Sequence, residues 1–188
     1  MALATKPLDT STWSDLAHLA GEHRGVWDGC WCLGFHEEGR NGVHTPAQRR
    51  ALKEARVREG SCARRARVRR RAVRRVVPVR PTEELPRIKL QKAYQEGLRE
   101  LPDWRITCFS SGEHIVIRAS PTLPWPARWW RLLASGGGTV ESYPEDTSGR
   151  KVSGSFLFNG SVAMFERHGF TRCRQIGKHR WVVSRLVG

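Results

Sequence analysis

The chain is 188 residues long, with 33 lysines and arginines against 18 acidic residues and a formal net charge of +15. That length suits one domain, 1–188, with a sizeable core, and the cysteines (Cys30, Cys32, Cys62, Cys108 and Cys173), odd in number and irregularly spaced, exclude a disulfide framework and imply reduced thiols. The N-terminus carries no basic-then-apolar leader and no window approaches the ~20 apolar residues of a membrane span, so a cytoplasmic protein with no membrane partner is expected.

In chain order the first element is a helix. Trp13, Leu16, Ala17 and Ala20 recur at i, i+3, i+4 and i+7, with Thr12 and Asp15 as a capping pair, over 12–20. A block rich in tryptophan and cysteine follows, GVWDGCWCLGFH, which holds Trp27 and Trp31. Cys30 and Cys32 with His36 lack the second ligand pair that a zinc corner needs, so no metal is expected. Thr45-Pro46-Ala47-Gln48 supplies a cap, a proline at N1 and a glutamine at N3, which predicts a second helix running to about residue 59 and stopping at Gly60.

The composition then changes. Residues 61–80 carry nine arginines and no acid, more than half of the net charge in one tract. Such a tract suits phosphate or nucleic-acid contact; it is also the composition of a solvated or disordered stretch. Leu90, Tyr94, Leu98 and Leu101 form a helical stripe across 87–100, and 104–109 reads as a buried strand. From 110 to 135 prolines and tryptophans crowd together with no period of 2 or 3.6.

The tail is the most legible part. A β-branched run between glycines and Pro144 predicts a strand at 138–143. Val162 and Phe165 fall three apart with Gly169 just beyond, which predicts a short capped helix at 161–168. Two runs separated by Gly177 and Lys178 predict a hairpin over 171–187. The histidines show no ligand or triad spacing.

Asn159, Ala163, Phe165, Gly169 and Phe170 resemble the N-x-x-x-A-x-Y-x-x-x-G-F signature that closes the GNAT superfamily of N-acyltransferases. The blocks at 25–40, 57–60, 83–109 and from Gly136 onward look like one bacterial subgroup of GNAT proteins of undefined substrate, and they keep the family's order. The resemblance implies an α/β fold, a mixed central sheet with helices on both faces, with acetyl-CoA as co-substrate and transfer of its acyl group to a small-molecule or peptide amine. It puts Cys108 and Phe109 at the strand-four edge whose backbone amides hold the thioester carbonyl, and Asn159, Ala163 and Phe165 along the pantetheine arm. It places Trp27 and Trp31 where the family walls the acceptor site; an aromatic there is also ordinary core. Glu141, on the neighbouring strand, is the candidate base through a water, its other reading being an ion pair at a strand end. One position departs from the family: Phe165 stands where a tyrosine usually protonates the departing thiolate, and it has no proton to give.

Residues 61–80 and 110–135 do not resemble the family, and both look like coding sequence read out of frame. With synonymous codons, ARRARVRRRAVRRVVPVR can be encoded so that another frame reads HAALVFDGEPCVGWCQF, a strand, an Asp-Gly turn and a strand. HIVIRASPTLPWPARWWRLLA can likewise hide HRHQGVADAALAGALVEIAR, a glycine-containing loop entering an amphipathic helix. The family grips the pyrophosphate with a Q/R-x-x-G-x-G/A loop at a helix N-terminus, where backbone amides converge on the anion. Residues 115–121 do not supply it, and Pro121, Pro124 and Pro126 remove three amide donors. Arg118 and Arg128 are the remaining point charges for the pyrophosphate.

The expectation is therefore a GNAT-like N-acetyltransferase with a disrupted second hairpin and pyrophosphate loop, impaired in its hold on acetyl-CoA, whose two odd segments offer no face to bury. The alternative is a non-catalytic nucleic-acid-binding protein using the arginine-rich segment 64–80. A frame accident explains that tract without such a partner, so nucleic acid is not expected. Nothing in the sequence selects the acceptor amine or an oligomeric state.

Overall fold

The structure is a computed structural model that describes residues 4–6, 8–22, 31, 33–40, 45–61, 66–69, 72–77, 79–111 and 136–188. The chain enters through β1 (Ala4–Lys6) and α1 (Trp13–Glu22), whose Leu16 and Leu19 pack with Leu8 and Val57. Thr12 turns its hydroxyl to Asp9, accepting that residue's backbone N–H at 3.0 Å.

The second helix, α2 (Pro46–Arg58), begins as its cap signals require. The Thr45 hydroxyl accepts from Gln48 N–H at 3.2 Å, and the Gln48 side chain accepts from Thr45 N–H at 2.8 Å, a reciprocal capping box ahead of Pro46. Gly60 closes the end in the left-handed region at φ 73°, which an L side chain rarely adopts.

Among the described residues nine strands follow two hydrogen-bonded orders. One sheet runs β1, β2 (Ala66–Arg69), β3 (Ala72–Val76), β6 (Ser110–Ser111). The other runs β4 (Val79–Pro81), β5 (Trp104–Ile106), β7 (Gly138–Ser142), β9 (Arg180–Val187), β8 (Thr171–Gly177). Every pairing is antiparallel except β5 with β7. Val76 faces Ser110 and Val79 faces Ile106, so three steps on one chain answer four on the other. Residues 107–109 thus hold one extra residue, a β-bulge that joins the two sheets into one strand path and marks where pairing with β7 ends, at Ile106 and Ser142.

The tail follows its punctuation with two changes: the helix is shorter, and the hairpin turn lies at Lys178 and His179, one residue beyond the expected Gly177 and Lys178. Helix α4 (Val162–Glu166) is capped by the Ser161 hydroxyl, which accepts Met164 N–H at 3.3 Å, and it ends at Arg167, ahead of Gly169 at φ 77°. Two cores sandwich the sheet. Val183 belongs to the cluster of Ile106, Val140, Val162, Phe165 and Phe170, whereas Val182 belongs to that of Leu85, Tyr94, Tyr143 and Ile176. Neighbours along a strand point to opposite faces, so α4 covers one face and α3 (Gln91–Glu96), which carries Tyr94, covers the other.

Two expectations need correction. The stripe over 87–100 is only partly a core face, because α3 spans six residues: Leu90 precedes it in the left-handed region and is 44% exposed, and Leu101 lies beyond it at 58%. Only Tyr94 and Leu98 turn inward. The segment 61–80, expected to offer nothing to the sheet, supplies β2, β3 and part of β4, the hairpin's ladder being irregular between Arg67 and Val68. The physical reason is in A-R-V-R: small and β-branched residues do alternate with arginine there at period 2. Residues 112–135, with the expected loss of the pyrophosphate loop, lie outside the described residues.

Candidate active site

Three ionisable side chains lie in one row across the middle of the sheet, where apolar residues usually sit. Arg80 on β4 is in register with Arg105 on β5, and Arg105 with Glu141 on β7, so all three share a face. Arg105 is almost fully buried. It donates to the Leu85 carbonyl and, from Nη2, to the Tyr94 hydroxyl at 3.3 Å, with its guanidinium 5.5 Å from the centre of the Tyr94 ring. The Tyr94 and Tyr143 hydroxyls both donate to Glu141 Oε2, at 2.9 and 3.1 Å, and the two rings meet edge to face at 5.5 Å. Glu141 is thus held by hydroxyls, and no ion pair to it is found among the described residues. Burial pushes its carboxyl above the ordinary range, against the pull of the two hydroxyls, Arg105 and Arg174. Burial also raises both tyrosines, Tyr143 well above its usual value, so they stay protonated and act as donors.

Beyond the bulge, β5 meets a different neighbour. Asn159 is completely buried; its Nδ2 donates to the Thr107 carbonyl at 2.6 Å, and its Oδ1 accepts from Arg180 Nη1 at 2.8 Å. Phe109 N–H donates to the Phe158 carbonyl at 2.8 Å. Arg180 completes the junction, reaching the Tyr143 carbonyl at 2.7 Å and Glu145 at 3.4 Å, with Phe158 under its guanidinium. Residues 158 and 159 therefore lie along the strand edge where β5 and β7 part. The edge that the resemblance assigns to pantetheine is engaged by the chain itself, and the described residues do not fit that arm as arranged.

The other expected site residues divide between the two faces. Phe109 and Phe165 lie 5.9 Å apart, and Phe165 and Phe170 4.9 Å apart, in the core under α4, on the face opposite Glu141. Cys108 is buried, and Ala163 is exposed. Trp31 is buried and stacks on Trp13 at 5.8 Å. Next to Trp13, α1 and Arg50 of α2 line a groove of about 550 Å³ with Ser14, Ala17, His18 and Gly21. Trp27, Arg118 and Arg128 lie outside the described residues. Among the described residues no group of three His, Cys, Asp or Glu side chains can hold a metal, and no helix is long and apolar enough to cross a membrane.

Tyr94, Tyr143, Arg105 and Arg180 escaped the sequence reading. Two signals for them exist. Arginine at the centre of the apolar run W-R-I-T-C-F must find internal partners, and Tyr143 stands two residues from Glu141, on the same strand face.

No family model matches this chain, and no curated protein matches it. Among solved structures it is similar to one described as "histone acetyltransferase HPA2 and related acetyltransferase", from Corynebacterium glutamicum ATCC 13032. The TM-score is 0.52 at 13% identity, over 100% of this chain and 98% of that one. The likeness spans both chains and shows the fold: a GNAT-like α/β architecture with a mixed central sheet and helices on both faces.

Proposed function

We propose that this chain is an acyl-CoA-dependent N-acetyltransferase of the GNAT type, acting on a small-molecule or peptide amine and impaired in its grip on acetyl-CoA. The observation that supports the activity is Glu141, a buried carboxylate on the strand parallel to the bulged one, held through one oxygen by two hydroxyls. An ammonium group is no nucleophile until it loses a proton. Glu141 takes that proton through a bridging water, at Oε1, because Tyr94 and Tyr143 occupy Oε2. Its raised proton affinity brings it nearer the working pH of a general base. Coenzyme A supplies the activated acyl group when bound. Phe165, buried in the core under α4, contributes packing and no acid. Nucleic acid is not proposed as a partner.

The impairment is supported by the closed strand edge at 107–109 and by the proline-rich sequence at the expected phosphate loop. Calorimetry with acetyl-CoA on this chain and on a version with both hidden frames restored tests it. Weak or absent binding to this chain and clear binding to the restored one is the expected pair of results; equal affinity refutes the damaged site. In the restored chain Glu141→Gln should lower acetyl transfer about 10²–10⁴-fold. It should also remove the acid limb of the pH profile, which in the parent lies above the usual carboxylate range because burial favours the protonated form.

A further inference from the structure

Helix α2 buries a cation where an amphipathic helix buries an apolar side chain. Lys53 is only 6% exposed, and on the same helical face stand Arg49, one turn before, and Arg56, one turn after. Against this face lie His36, 2% exposed, and Arg80 of β4, 4% exposed. Arg56 is paired with Glu38, and Arg80 with Glu84 and the Ser61 carbonyl. Lys53 makes no hydrogen bond or ion pair among the described residues, and the buried His36 Nδ1 and Glu38 Oε2 have no partner. Four cations thus face two carboxylates. The imidazole adds no charge, since burial, then Lys53 and Arg56, press its pKa down to about 3. Cations gathered at close range repel one another, and an anion entering the cluster relieves that repulsion.

Position gives this excess a use. Arg80 is the register neighbour of Arg105, and Arg105 of Glu141, so the cluster lies two strands from the proposed base on one sheet face, about 10 Å along it. Phe35, next to His36, packs in the same core as Tyr94 and Tyr143.

Resting on the reading of Glu141 as base, we propose that Lys53, Arg56 and Arg80 around His36 form an oxyanion pocket, so that the acceptor is an amine bearing a carboxylate or phosphate several bonds from its nitrogen. Lys53 carries the unpaired charge, and His36 Nδ1–H serves as a neutral donor to the same group.

The test is titration calorimetry of the full chain with inorganic phosphate and, separately, acetate, in chloride at matched ionic strength. Saturable binding of phosphate, acetate or both is expected, and the preferred ion tells which kind of group the acceptor carries. Lys53→Met should weaken it about tenfold or more and Lys53→Arg should largely retain it, while Arg58→Met, at an exposed pair with Glu54, should leave it unchanged. No saturable binding of either ion overturns the pocket, as does affinity unaltered in a folded Lys53→Met chain. Should Lys53→Met fail to fold by circular dichroism, His36→Leu takes its place and must weaken the same binding. The transferase reading fails separately: if the ion binds at Lys53 but the frame-restored chain acetylates no amine carrying that group, the pocket stands and the base assignment falls.

Discussion

Replacing His36 by leucine isolates the electrostatics of the cation cluster. In the folded chain the imidazole is pressed from 6.5 to about 3, first by burial and then by Lys53 and Arg56. Below pH 6.5 the unfolded chain takes up a proton at this residue and the folded chain does not, so stability falls as the pH falls. One proton difference is worth about 1.4 kcal/mol per pH unit, and between pH 7 and pH 3 the loss reaches roughly 4–5 kcal/mol, a large part of a typical total stability. Asp9 and Asp146, whose carboxyls are lowered chiefly by hydrogen bonds from Ser11 and Ser148, also lose stability in acid, but they do so in both chains. Urea titrations of parent and His36→Leu at pH 7, 6, 5 and 4 should therefore diverge below 6.5, the variant gaining about 1.4 kcal/mol relative to the parent with each unit. At pH 7 the variant should be no less stable, since His36 Nδ1 has no partner to lose. Parallel curves across the range would show that the imidazole charges freely in the fold, and the tight cation cluster would have to be abandoned.

Other perturbations report on the junction and the helix ends. Asn159→Ala strands the Thr107 carbonyl and one bond of the Arg180 guanidinium, both buried, at about 2–4 kcal/mol; thermal melting should show a Tm lower by roughly 5–15 °C, and an unchanged Tm would mean that water replaces the amide without loss. Gly160→Ala forces an L residue to φ 79°, ψ −176° and pushes its Cβ toward Met164, Phe165 and Phe109, which should cost about 2–3 kcal/mol by urea titration. Thr45→Ala removes the hydroxyl half of the α2 capping box and should cost about 1 kcal/mol in the same assay; no measurable change would place that helix end outside the cooperative unit.

What the sequence disclosed was punctuation. Ser161, Gly169, Thr45 and Pro46 act on their own few residues, so their caps formed where expected, while the hairpin turn expected at Gly177 and Lys178 forms one residue later, at Lys178 and His179. The periodic stripe over 87–100 failed because period alone does not say where a helix starts, and Leu90 leaves the helical region one residue before α3 begins. The arginine tract misled in the other direction, for a charge-rich stretch can still pair its backbone. The resemblance points to Glu141 from its place on the strand next to the strand-four edge, but not to its partners. Tyr94 is forty-seven residues away in sequence, where it stands as one more member of an apolar stripe. Arg80, Arg105 and Lys53 were hidden for a common reason: a cation is assigned to solvent by default, and only the folded register shows that these three were drawn inward.

Arg180 heads the last strand, yet it fastens residues 143, 145 and 159. During vectorial synthesis the parts of the junction therefore emerge in the order Thr107, Tyr143, Glu145, Asn159, with the piece that locks them last. A nascent chain exposed only as far as α4 has Asn159 with one of its two partners, and the Tyr143 carbonyl awaits the guanidinium. The locking contacts are timed by the β8–β9 hairpin, whose pairing to β7 sets Arg180 in place. A protease cut at Lys178, in the two-residue turn before Arg180, would sever the lock from residues 107–159 without touching a single residue of the junction.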